Sequence, residues 1–261
     1  MKIQFMGTAA AEGAPALFCT CAHCRYARAR GGREIRSRAG SIVDGRLKLD
    51  FGPDSFKQML DCGVDYTNLR AVLITHSHDD HFSAEAVRAI APKRVYAHES
   101  WAAGIDAGGA EVVPLRVSVP VTTPSGFTIL PLPANHAAET PSETALHYLI
   151  ERDGQRLLYA TDGAWLLNRA RRLIGALSLD AAVFDATIGD IVKGDYRVFE
   201  HNSLDMVRLM TATLRSVGVL RESAPVFLTH MARTLHPDQK TLEASLQPPF
   251  IACYDGMTAE I

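Results

Sequence analysis

No apolar run in this 261-residue chain approaches the roughly 18 residues that a membrane-spanning helix requires. Charge of one sign is also lacking. The 27 Lys and Arg stand against 29 Asp and Glu, a formal net charge of −2, so no global field would gather nucleic acid or an anionic membrane. Aromatic residues make up only 7%, and no Gly/Ser linker, low-complexity tract or fixed-period repeat divides the chain, which reads as one domain over 1–261. The opening MKIQFMGTAAAEG has no long apolar stretch, which argues against a secretory leader and for a cytoplasmic protein. Cysteine is scarce and odd in number at five, so a full disulfide framework is excluded. Three of the five, Cys19, Cys21 and Cys24, form C-x-C-x-x-C, a spacing that in a reducing compartment suits a metal better than cross-links.

What is present is an ordinary globular composition, 47% hydrophobic and 21% charged. Short apolar or alternating runs at 2–6, 41–51, 71–75, 93–97, 126–132, 145–160, 180–185 and 225–229 predict strands. Asp44-Gly45 and Asp153-Gly154 predict tight hairpin turns. Helical patterns occupy 83–91, about 165–177, 203–217 with Asn202 or Ser203 as cap, and the stretch after Pro237. Segments 102–125 and 187–200 read as loops. Hairpins mixed with strand-helix alternation point to two packed sheets with helices outside, because each sheet must bury an apolar face.

The chemistry concentrates in THSHDDH, where His76, His78, Asp80 and His81 follow the apolar run AVLI. Three histidines and a carboxylate at the end of a buried strand would be a costly polar cluster without a metal, and imidazole with carboxylate suits Zn, Mn or Fe. Other strand-like runs deliver His136, Asp162 and His230 in the same manner. His23, His98 and His147 read as satisfied core or surface residues, and Asp185, which ends AAVFD, as a hydrogen-bonding support.

That string resembles the signature of the metallo-β-lactamase fold hydrolases, with His136, Asp162 and His230 in the expected order over the whole chain. The resemblance implies an α+β four-layer αβ/βα sandwich of two mixed β-sheets with outer helices. It further implies two divalent ions, Zn or Mn. His76, His78 and His136 would hold one, and Asp80, His81 and His230 the other, with Asp162 bridging. Members open lactams, thioesters, phosphodiesters and RNA, so the fold alone does not name the substrate.

Five further strings, GTAAAEGAPALFCTCAHCRYAR, PLPANH, ATDGAW, FEHNSLDMV and LTHMARTLHP, resemble the branch containing the phosphonate-pathway cyclic phosphodiesterases, which act on phosphoribosyl 1,2-cyclic phosphate. The branch implies a structural zinc on the Cys-rich loop at about 17–27, completed by one distant histidine. This chain departs from the pattern by carrying Arg233 at that place, which leaves His236 as the candidate fourth ligand and His23 as the less favoured one. The branch also places His201 beside the reacting phosphate, so Asp80, Asp162 and His201 are the expected catalytic residues. A longer loop, AAETPSETALH, borders the expected site. Six arginines between Arg25 and Arg38, against Glu34 alone, read either as a solvated face or as a contact for an anionic substrate.

The function expected on these grounds is hydrolysis of a small cyclic or ribose-linked phosphodiester to a phosphomonoester. The partner is then a small molecule, without a membrane or bulk nucleic acid, and a homodimer is left open. A lactone, a thioester or an RNA end is the alternative substrate. A cofactor-biosynthesis protein shares the cysteine cluster, but relatives of that kind often have a degraded metal string and this one is intact. From a different class comes a zinc-stabilised nucleic-acid-binding protein with a vestigial centre, against which the intact distant ligands Asp162 and His230 argue.

Overall fold

Along Gln155–Ala160, Leu157 and Tyr159 point to one side of the strand and Leu158 and Ala160 to the other, and all four are buried. Ala181–Asp185 repeats the pattern, with Ala181 and Val183 on one face and Ala182 and Phe184 on the other. A strand buried on both faces must lie in a sheet covered on both sides. The computed structural model, which describes residues 1–89, 93–191 and 193–261, supplies both covers.

One sheet runs in spatial order Thr258–Glu260, Lys2–Gly7, Gly40–Val43, Leu47–Leu49, Ala71–Leu73, Arg94–His98 and Glu111–Leu115. The other runs Phe250–Ala252, Val226–Thr229, Ala181–Asp185, Gln155–Ala160, Leu146–Arg152, Thr128–Pro133 and Val121–Thr122. Each mixes parallel with antiparallel pairs. Between the sheets, Phe5, Leu49, Leu73, Tyr148, Tyr159 and Phe227 share one apolar layer. Outside the first sheet, Val72, Ile74 and Val95 pack on Val87 and Ala102 from helices Ala84–Ala89 and Glu99–Ala102. Outside the second, Leu158, Phe184 and Leu228 meet Ile174, Val207, Met210 and Leu242 from helices Asn168–Ile174, Leu204–Ser216 and Gln239–Ser245. The architecture is the four-layer sandwich of two mixed sheets with outer helices.

Both hairpins form at the expected dipeptides, with φ of 50° and 65° at Asp44 and Gly45 and of 51° and 78° at Asp153 and Gly154, the doubly positive geometry that suits strand twist. The helix expected at 83–91 is Ala84–Ala89, and residues 90 and 91 lie outside the described residues. Ser203 rather than Asn202 caps helix Leu204–Ser216, its hydroxyl accepting Met206 N–H at 3.3 Å. Segment 102–125 differs from the loop expected there, since it holds Glu111–Leu115 and Val121–Thr122. Both are edge strands with mixed exposure, and the first carries Pro114, so burial leaves little alternation to read. Segment 187–200 is irregular apart from the 3₁₀ turn Tyr196–Phe199, and its residue 192 lies outside the described residues.

Candidate metal centre

Strand ends from both sheets meet at one edge, and three residues there hold a left-handed backbone: Asp50 (φ 58°), Asp162 (φ 61°) and His230 (φ 57°). Non-glycine residues adopt this region at a cost and keep it where the surroundings over-determine it, as functional sites do. Gly52 lets the THSHDDH loop come close, since a Cβ there would lie 2.1 Å from the Asp80 carbonyl oxygen.

Two donor groups result. His76, His78, His136 and Asp162 bring one ligand atom each within 4.8 Å of one another, and so do Asp80, His81, Asp162 and His230. Asp162 belongs to both, and one of its oxygens does the sharing. Its Oδ2 lies 3.4 Å from His76 Nε2, 3.5 Å from His136 Nε2, 3.1 Å from His81 Nε2 and 3.4 Å from His230 Nε2.

The outward nitrogens explain why the inward ones converge. His81 Nδ1 donates to Asp50 Oδ2 at 2.7 Å. The Thr75 hydroxyl donates to Asp50 Oδ1 at 2.9 Å and so accepts from His76 Nδ1, also at 2.9 Å. The Thr187 hydroxyl donates to the His230 carbonyl and accepts from His230 Nδ1, both at 2.8 Å. His136 Nδ1 faces the Glu200 carbonyl at 3.4 Å. With the outer N–H placed, each inner Nε2 of the neutral imidazole is the nitrogen that can ligate. Ring nitrogens that face one another across 2.8 Å (His76 Nε2 to His78 Nδ1) and 3.4 Å (His81 Nε2 to His230 Nε2) suit a shared cation.

Charge says the same. Asp50, Asp80, Asp162 and Asp185 are all buried, and among the described residues their ion pairs in this cluster are with histidines. Four buried carboxylates call for compensating positive charge close by. Burial and the neighbouring His81 push His76 down to about 4. Against the cost of burial, Asp80 and Asp50 hold His81 well above the usual imidazole range. Burial opposes ionisation of Asp162 too, yet His230 and His136 keep it well below the usual carboxylate range. The site thus favours added positive charge, and the residues present fit two divalent ions.

His201 borders the centre. Its Nδ1 lies 2.8 Å from Asp185 Oδ2 and 3.1 Å from Asp162 Oδ1. Despite burial, Asp185 and Asp162 raise it to about 11. Asp185 also accepts Gly163 N–H at 3.2 Å and Thr187 N–H at 2.7 Å, the supporting part read for it from sequence. Asn202 ties this loop together, accepting Trp165 N–H at 2.8 Å and donating to the Gly163 carbonyl at 2.9 Å. His147 is buried, its Nε2 3.3 Å from the Asp162 carbonyl, and His98 caps helix Glu99–Ala102.

The sequence reading passed over Asp50, Thr75, Thr187 and Glu143. Asp50 carried the signal that picked out Asp162, an acid ending an apolar strand, but LKLD lies in a hairpin without a histidine nearby in sequence. Glu143 sits on the loop after His136 and grips the metal loop, accepting Ser77 N–H at 2.9 Å and Ser77 O–H at 2.5 Å.

The three cysteines gather as expected, and the difference lies in the fourth position, expected of His236. Cys19, Cys21 and Cys24 gather within 4.8 Å, on a loop and the first turn of helix Ala22–Arg30. The Cys24 N–H, helped by Cys19, draws the Cys21 thiol down to about 7. His236 does not join them: its ring is buried and Nε2 donates to the Ala186 carbonyl at 2.7 Å. Arg233 does, with Nη1 3.3 Å from Cys21 Sγ. Five of the six arginines of the run serve protein groups. Arg25 donates to the Thr20 carbonyl, Arg28 to the Cys19 carbonyl at 2.5 Å, Arg33 to Glu243 at 3.2 Å, Arg36 to the Cys253 carbonyl at 2.7 Å, and Arg38 to Asp54 at 3.1 Å.

Two face-to-face mixed sheets with a His/Asp donor set at one edge define the sandwich of the metal-dependent hydrolases. A family model described as "Beta-lactamase superfamily domain" matches residues 46–231. The chain belongs to that family. Coenzyme PQQ synthesis protein B of Methylobacterium radiotolerans is 27% identical over 225 residues, covering 72% of this chain and 73% of that protein. Among solved structures, Zn(2+)-bound PqqB from Methylobacterium extorquens aligns with a TM-score of 0.79 at 20% identity over 100% of both chains. A new diphosphatase from the PhnP family aligns at 0.75 and 20% identity over 99% of this chain and 97% of that one. These two likenesses speak to the fold. Family membership and the paired donor groups support metal-dependent hydrolysis, and no helix among the described residues is long and apolar enough to cross a membrane.

Proposed function

We propose that the chain works as a single hydrolase unit, a dinuclear-metal phosphodiesterase that converts a small cyclic or ribose-linked phosphodiester to a phosphomonoester. The observation that carries this reading is the placement of Asp162: Oδ2 lies between two donor groups, while Oδ1 and Asp185 together hold His201 at the margin. His76, His78 and His136 would bind one ion, and Asp80, His81 and His230 the other. When bound, two divalent ions acidify water and neutralise charge on a phosphoryl oxygen. The chain's own residues do the rest. Asp50, Thr75 and Thr187 hold the imidazoles so that little reorganisation is needed on binding. His201, fixed through Nδ1, keeps Nε2 for the leaving group. Water adds to phosphorus in line with the departing ester oxygen and gives one proton to solvent, the P–O bond opens, and His201 hands its proton to that oxygen and takes one back from solvent. In a cyclic diester the leaving oxygen stays tethered, and one phosphomonoester results.

A second reading, a part in coenzyme PQQ synthesis on a different substrate, is favoured by the 27% identity to the Methylobacterium radiotolerans protein. Hydrolysis of a panel separates the two. It comprises a ribose 1,2-cyclic phosphate, a 2′,3′-cyclic nucleotide, bis(p-nitrophenyl) phosphate, a lactone and a thioester, each with Zn or Mn supplied. Saturable, metal-dependent turnover of a diester is the expected result. Opening of the lactone or thioester with diesters untouched would overturn the proposal and leave the family standing.

A further inference from the structure

What stands beside Cys19, Cys21 and Cys24 decides what they can hold. Three sulfurs within 4.8 Å can close on one soft cation, since thiolates select ions of the zinc, cadmium and copper(I) kind. A closed structural zinc site needs a fourth protein donor, and the group that reaches the cluster is the Arg233 guanidinium, 3.3 Å from Cys21 Sγ. A guanidinium stays protonated and has no lone pair, so it can balance thiolate charge but cannot ligate. Neither nearby imidazole replaces it. His236 is committed to the Ala186 carbonyl at 2.7 Å and packs so close to Gly189 that a Cβ there would lie 2.9 Å from its Nδ1. Neither His236 nor His23 is among the donors that gather with the sulfurs among the described residues. Cys24 is buried at the base of the cluster while Cys19 and Cys21 are partly exposed.

We infer that this cluster is a three-thiolate site for a soft divalent cation, with Arg233 as its charge partner and the fourth corner left to an exchangeable small ligand. Three thiolates and a divalent ion leave one negative charge, and Arg233 cancels it. It does not rest on the phosphodiesterase reading, because the sulfur cluster shares no donor with the His/Asp groups.

The test uses the full chain with Co(II) and Zn(II) as probes. Thiolate-to-cobalt charge transfer reports the cysteines alone, since the other centre has only nitrogen and oxygen donors. The wild-type protein is expected to show that band and Cys21→Ser to lose most of it. Added imidazole or a small thiol should shift the cobalt ligand-field bands of the wild type. Arg233→His, which puts an imidazole on the segment that now delivers the guanidinium, should abolish that shift and tighten zinc by about tenfold or more in chelator competition. No thiolate band in the wild type would overturn the site itself. A wild type whose bands ignore added ligands, together with a tenfold loss of zinc affinity in folded His236→Ala or His23→Ala, would overturn the open corner. The wild-type ligand titration stands by itself should Arg233→His fail to fold.

Discussion

The His/Asp centre and the cysteine cluster are joined by one short segment, for His230 belongs to the first and Arg233 touches the second, yet they are held in opposite ways. In the centre, His76, His81, His136 and His230 each have the outward nitrogen engaged, and Asp50, Asp162 and Asp185 sit at or just past strand ends. The cysteines hang on a loop and a helix entry, and their charged neighbour arrives from elsewhere in the chain. A donor set therefore does not define a metal site alone. The groups behind the donors decide whether it is closed and preorganised or open and exchangeable.

The hardest way to break that contrast is Asp162→Ala. Removing the oxygen shared by both donor groups should cost more than about a hundredfold in turnover of the diester, beyond what the loss of an outer partner costs. The cysteine site should keep its metal, which metal analysis beside kinetics would show. A folded variant with near-normal rate would place the chemistry elsewhere. A smaller effect is expected from Asp50→Ala, which leaves all seven proposed ligands in place and frees His81: about 10- to 100-fold in metal affinity or rate, read by chelator competition. An unchanged affinity would show that packing alone orients His81.

The smallest effect lies in stability. Lys48 is buried directly behind the centre, its ammonium donating to the Asp50 carbonyl at 2.8 Å, and burial depresses it from 10.5 to about 8. Between those values the unfolded chain holds a proton that the folded chain has released. The contribution of Lys48 is therefore present above 10.5 and is lost as pH falls through about 8. Lys48→Met should flatten the rise in stability between pH 8 and 10.5, a difference on the order of 1–3 kcal/mol, measured by denaturant midpoints across that range. Equal slopes in both proteins would mean that water reaches the ammonium and no such linkage exists.

Much of this is legible in the sequence. The strand ends delivering His76, His136, Asp162 and His230 follow apolar runs, and both hairpins announce themselves by Asp-Gly. Asp50 was not legible as a partner, because its histidine is 31 residues away and only strand pairing joins them. Edge strands such as Glu111–Leu115 escaped because half-exposed positions need not alternate. His236 looked a better cysteine partner than Arg233 because residue chemistry was visible and direction was not.

The sequence by itself determined the donor inventory and the layer pattern, since residue type sets which atoms can ligate and apolar period sets which faces are buried. Only the tertiary structure decided which donors meet, which nitrogen of each imidazole turns inward, and that a guanidinium rather than an imidazole reaches the cysteines. Those are matters of direction between distant segments, fixed by sheet register and by backbone held at positive φ, and no local period encodes them.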